Sequence, residues 1–80
     1  MIPQSTKLGI DEYVASGRPP GGFLEAVLCN DLREALARAD DANLYALRDI
    51  VRYCRNEIPR RCWGSVEKFD RWMTELGRFK

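Results

Sequence analysis

The sequence predicts an all-α fold, one compact single-domain bundle of four to five helices. Two observations carry this. Apolar residues recur every third or fourth position along most of the chain, and no stretch alternates apolar with polar as a half-buried strand does. A third observation bounds the size: 80 residues support one core and one domain, residues 1–80. With 45% hydrophobic and 31% charged residues, the chain is too apolar for disorder and ordinary for a globular protein.

The first expected helix covers residues 5–16, with Ser5 as N-cap and Gly17 where a left-handed residue closes a helix. Leu8, Ile10, Tyr13 and Val14 give it a modest apolar face, and Gly9 inside it costs about 1 kcal/mol relative to alanine. Arg18-Pro19-Pro20-Gly21-Gly22 then forms a corner, because two prolines cannot continue a helix and two glycines allow a sharp change of direction. The segment lacks the glycine-lysine signature and the preceding strand of a phosphate-binding loop.

From Phe23 onward Leu24, Val27, Leu28, Leu32, Ala35, Leu36 and Ala39 lie on one helical stripe. This predicts a helix over 23–39, bent or interrupted at Cys29-Asn30-Asp31, where Asn30 can cap a second segment. Asp40 or Asp41 caps the next helix, over 42–57, whose stripe Leu44, Leu47, Val51, Cys54 and Ile58 is spaced 3, 4, 3 and 4. Tyr45, Ile50 and Tyr53 widen it, and Pro59 ends it. After a loop over 57–64, Ser65 caps a last helix with Val66, Phe69, Trp72, Met73 and Leu76 on its apolar face and Gly77 at its end. The expected core is Leu24, Val27, Leu28, Leu32, Leu36, Leu47, Val51, Cys54, Phe69, Trp72 and Met73.

Composition narrows function by exclusion. The chain has no histidine, the usual general base and metal ligand, so no catalytic residue, metal or cofactor is expected and the reading is non-enzymatic. Its three cysteines, Cys29, Cys54 and Cys62, form no Cys-x-x-Cys pair. Cys29 and Cys54 read as small core residues; Cys62, beside Arg60 and Arg61, is the one candidate nucleophile, without a base to activate it. No apolar run approaches a membrane span and the N-terminus lacks the apolar core of a signal peptide, so a cytoplasmic location and no membrane partner are expected.

Charge is unevenly distributed. Residues 1–41 carry four basic and seven acidic side chains, whereas residues 42–80 carry nine and five. The excess concentrates in Arg48, Arg52 and Arg55, spaced i, i+4 and i+7 along one side of a helix, followed by Arg60 and Arg61 in the loop. All five are arginine, the residue suited to two-pronged contacts with carboxylate or phosphate. Together with Trp63, a candidate anchor, they form the expected partner-binding site. An opposing acidic set, Asp11, Glu12, Glu25, Asp31, Glu34, Asp40 and Asp41, is more diffuse. A helix-turn-helix reading is disfavoured, because about seven residues separate the last two helices and the final one mixes Lys68 and Arg71 with Glu67, Asp70 and Glu75.

The run Gly17-Arg18-Pro19-Pro20-Gly21-Gly22-Phe23-Leu24-Glu25-Ala26-Val27-Leu28-Cys29-Asn30-Asp31-Leu32 resembles a pattern in small, mostly uncharacterised phage and prophage proteins. Arg38-Ala39-Asp40-Asp41-Ala42-Asn43 and Pro59-Arg60-Arg61-Cys62-Trp63-Gly64-Ser65 extend the likeness over about residues 8–76. The resemblance brings no catalytic residue or ligand. It implies a mobile-element protein in a bacterial host, a context rich in inhibitors of host machinery such as anti-CRISPR proteins. The expected partner is accordingly a host protein or nucleoprotein complex, a CRISPR effector first. Nucleic acid comes second, bound by the same arginines, and a structural or dimerisation module third; the chain itself is expected as monomer or homodimer.

Overall fold

The computed structural model describes residues 1–77. Five α-helices, α1 (Gln4–Ser16), α2 (Gly22–Leu28), α3 (Leu32–Arg38), α4 (Asp41–Glu57) and α5 (Val66–Gly77), surround one core, with a 3-10 turn at Arg60–Cys62 between the last two. The fold is all-α, and no strand occurs among the described residues.

Helix α1 starts one residue earlier than its sequence suggests. Its N-cap is Pro3, which offers no side-chain cap, and not Ser5. Proline's fixed φ suits a helix entrance. Thr6, Ile10 and Tyr13 form the buried stripe, and Gly17 closes the helix in the left-handed region (φ 71°), its N–H donating to the Tyr13 carbonyl. Gly17 also lies against the end of α5, where a Cβ would come within 2.8 Å of the Gly77 nitrogen. Gly9 has a packing reason too: a Cβ there would stand 3.1 Å from Leu24 Cδ1, so the bare backbone lets α2 approach α1.

The stretch 23–39 is two helices, and the residue dividing them acts differently from expectation. Asn30 does not cap α3; it ends α2. It adopts the left-handed conformation (φ 62°), the Asn30 N–H donates to Val27 O at 3.0 Å, and the Asp31 N–H donates to Ala26 O at 2.8 Å. This is the paired closure that follows a left-handed residue after a helix, tolerated by asparagine. Asp31 is the N-cap of α3, its side chain accepting from the Glu34 N–H.

Helix α4 is capped by Asp40, whose carboxylate accepts from the Asn43 N–H at 2.8 Å. Its boundaries lie within a residue of the sequence pattern, and its buried face matches that pattern in part, at Cys54 and, just past the helix, Ile58. Ala46, Ile50 and Cys54 face the core, while Leu44 and Val51 of the expected stripe are exposed. Leu32 and Leu36 of α3 are also exposed rather than core residues. Polar contacts tie α4 to α1: the Thr6 hydroxyl donates to Asn43 Oδ1 at 2.6 Å, and the Tyr53 hydroxyl donates to Asp11 Oδ1. Aligned along α1, these contacts fix which way α4 is turned.

The core centres on Tyr13, which is fully buried and stacks on Phe69 with ring centroids 5.2 Å apart. Trp72 of α5 donates its indole N–H to the Tyr13 carbonyl at 3.1 Å, and the Gly64 N–H donates to Leu28 O at 2.7 Å. Ser65 caps α5 by accepting from the Lys68 N–H. The observed core adds Ile10, Tyr13, Ala26, Ala35, Ala46, Ile50, Ile58 and Cys62 to the expected Leu24, Val27, Leu28, Cys54 and Phe69; Leu47, Trp72 and Met73 are partly buried against it.

Candidate interaction surface

Because Ile50 and Cys54 point inward, the opposite side of α4 faces solvent and carries Arg48, Arg52 and Arg55, all exposed. None of the three forms a salt bridge or side-chain hydrogen bond with a described residue. Asp49, the acid between Arg48 and Arg52, is held by the Met1 amino group at 2.8 Å, which keeps its carboxyl below the ordinary value. The ridge is therefore three guanidiniums with unused donors on a 17-residue helix.

The other expected site residues separate from that ridge. Arg60 is exposed in the 3-10 turn. Arg61 is turned to α5, its guanidinium 5.5 Å from the Trp72 ring centroid, a cation–π contact. Trp63 neither stacks with its arginine neighbours nor enters the core fully. It lines a groove of about 120 Å³ between α3 and α4, with Val27, Leu32, Ala35, Leu47 and Val51.

This groove is the feature that pattern reading misses. Its rim carries Leu32 at 65% exposure and Val51 at 40%, and Leu36 and Leu44 continue the apolar surface along the same two helices. Several large side chains gathered in this way make the groove a candidate interaction surface. The available signal was the overlap of two apolar stripes on α4, only one of which can face inward at a time.

The acidic side chains are mostly occupied with local work. Asp11 pairs with Lys7, Glu12 with Arg18 and Glu34 with Arg38, while Asp31 and Asp40 are caps. Glu25, Asp31, Glu34 and Asp70 share a shallow cavity with Cys29 and Arg38. Among the described residues no group of histidine, cysteine, aspartate or glutamate could hold a metal ion.

The cysteines are free thiols. Burial pushes Cys54 up to about 12 and Cys29 up to about 11. Cys62 is fully buried and donates its thiol to the Pro59 carbonyl; burial raises its pKa despite Arg61 next to it. A nucleophile needs the reverse shift. No described helix is long and apolar enough to cross a membrane.

The chain matches no protein-family model, no curated protein and no solved structure.

Proposed function

We propose that this protein works by binding, as a small non-enzymatic inhibitor that sets the α4 arginine ridge on an anionic surface of a host nucleoprotein machine in the bacterial cytoplasm. The observation that carries the reading is the ridge itself. Arg48, Arg52 and Arg55 are aligned on one rigid helix and unpaired among the described residues, with Arg60 available in the following turn. Arginines neutralised inside a fold have no donors left for a partner; these have all of them. The likeness to phage and prophage proteins directs the choice of target to a CRISPR effector complex, making the protein an anti-CRISPR protein that blocks nucleic-acid access or recruitment.

The test is an interference assay in a bacterium with an active CRISPR system, scored by survival of a targeted plasmid. Expression of the chain is expected to restore plasmid survival, and Arg52→Glu with Arg60→Glu to abolish the effect without altering thermal stability. Full protection by that double variant across a panel of CRISPR types rejects the ridge, and no protection by the unaltered chain rejects the target. The same arginines would also suit phosphates directly. Anisotropy titrations with generic duplex and single-stranded DNA separate this second reading, since tight binding that falls steeply with salt belongs to a nucleic-acid accessory protein.

A further inference from the structure

The stripe spaced 3, 4, 3 and 4 on α4 is a heptad repeat that the monomer only half uses. Leu44 and Val51 occupy its a positions, Leu47 and Cys54 its d positions, and Asp41, Arg48 and Arg55 its e positions. The fold buries Cys54 and half-buries Leu47 but leaves Leu44 and Val51 exposed beside the α3–α4 groove. The e positions are electrically asymmetric: acid at the start of the helix, arginine at its middle and end. Neither Asp41 nor Arg55 has an ion-pair partner among the described residues.

A parallel copy of α4 would set its e positions against g positions, Arg48 beside Asn43 and Arg55 beside Ile50, and would pair no opposite charges. An antiparallel copy does. Reversed about a two-fold axis near Arg48, Leu47 faces Val51 of the second copy, and Asp41 of each copy falls beside Arg55 of the other. The self-complementary arrangement therefore supplies two ion pairs and two Leu47–Val51 contacts from a single helix, while Cys54, which this register sets opposite Leu44, stays in its own core. It brings Arg48 of both copies together at the axis, a repulsion that limits the affinity.

We propose that the α3–α4 groove is the seat of a second copy of this chain, which forms an antiparallel two-fold dimer through α4. Leu32 and Ala35 of α3 make the far wall of each groove. The inference goes beyond the inhibitory reading: the dimer occupies Arg48 and Arg55 and leaves Arg52 and Arg60 to a target, and its readout is molecular mass, measured with no target present. Arg52 and Arg60 lie outside the seam.

Sedimentation velocity of the full chain at low salt, across micromolar to millimolar concentration, is expected to show a species of twice the 9.2 kDa monomer mass. Val51→Glu is expected to weaken association at least ten-fold while circular dichroism reports unchanged helicity. Asp41→Arg and Arg55→Asp are each expected to weaken it, and the two together in one chain to restore it, because the swapped charges meet again across the axis. Arg48→Leu is expected to tighten the dimer by removing the one like-charge contact. A chain that stays at monomer mass throughout the range overturns the proposal and leaves the groove to a foreign helix. A dimer that Asp41→Arg with Arg55→Asp fails to restore overturns the antiparallel register.

Discussion

The Tyr13 hydroxyl donates to the Cys62 carbonyl at 2.7 Å, across 49 positions of sequence. One buried phenol thereby fastens α1 to the turn that leads into α5, and the same ring stacks on Phe69. Burial also drives the Tyr13 pKa well above that of a free tyrosine, so the group remains a donor at any ordinary pH.

Tyr13→Phe keeps the stack and removes the donor. The buried Cys62 carbonyl then loses its partner, a loss of about 1–3 kcal/mol. Urea denaturation should show a lower midpoint with an unchanged slope. An unchanged midpoint would mean that the hydroxyl does not hold the turn.

Two glycines with positive φ provide a matched comparison. At Gly21 (φ 95°) a Cβ meets nothing within 4 Å, whereas at Gly17 (φ 71°) it runs into the α5 backbone. Gly21→Ala should therefore lose only the backbone penalty of its glycine-favoured conformation (φ 95°, ψ 164°), about 1–3 kcal/mol. Gly17→Ala should lose clearly more, because backbone cannot move aside as a flexible side chain does. Thermal melts of the two variants check the order; equal losses would mean that the α5 backbone does not crowd Gly17.

Neighbouring α4 positions should differ sharply. Ile50 is fully buried and Val51 is 40% exposed. Ile50→Ala should cost about 2–5 kcal/mol. Val51→Ser should cost about 0.5 kcal/mol or less, as surface changes do. If the costs came out reversed, the helix would be turned the other way.

That contrast shows how much of the molecule was readable in advance. The boundaries of α4 were, because Asp40 and Pro59 act locally through a cap and a missing N–H. Its inward face was legible only at Cys54, which lies on both stripes. Leu44-Leu47-Val51 outweighs Ala46-Ile50-Cys54 in bulk, yet the second stripe packs, since Thr6 and Asp11 of α1 hold Asn43 and Tyr53. Such partners are remote in sequence and leave no trace in a periodicity. The spacing of Arg48, Arg52 and Arg55 was legible for the same reason as the caps: one helix sets it. The departure of Arg61 to Trp72 and of Trp63 to the groove depends on where α5 and α3 lie, which local pattern does not encode.

Acid should expose the α1–α4 tie. The hydrogen bond from Tyr53, and after it the contact with Lys7, hold the Asp11 carboxyl below its ordinary value of 3.8. With the folded pKa depressed, this contribution is complete above about pH 4 and is lost as pH falls through the folded value. Tyr53→Phe should shrink the difference in melting temperature between pH 6 and pH 3. The site is partly exposed, so the change should be modest and smaller in high salt. An identical acid dependence in both proteins would separate Asp11 from stability.

Helices α2 and α3 have seven residues each. Isolated in water, segments of that length scarcely populate a helix, since the cost of nucleation is not recovered over so few turns. They exist because the Asn30 elbow folds them together and the core receives Leu24, Val27, Leu28 and Ala35 at once. Roughly a fifth of the polypeptide thus has no autonomous existence, and a cut at the elbow would release no surviving half. Denaturation should therefore be all-or-none, with amide exchange in both segments reporting the same opening as the centre of the molecule.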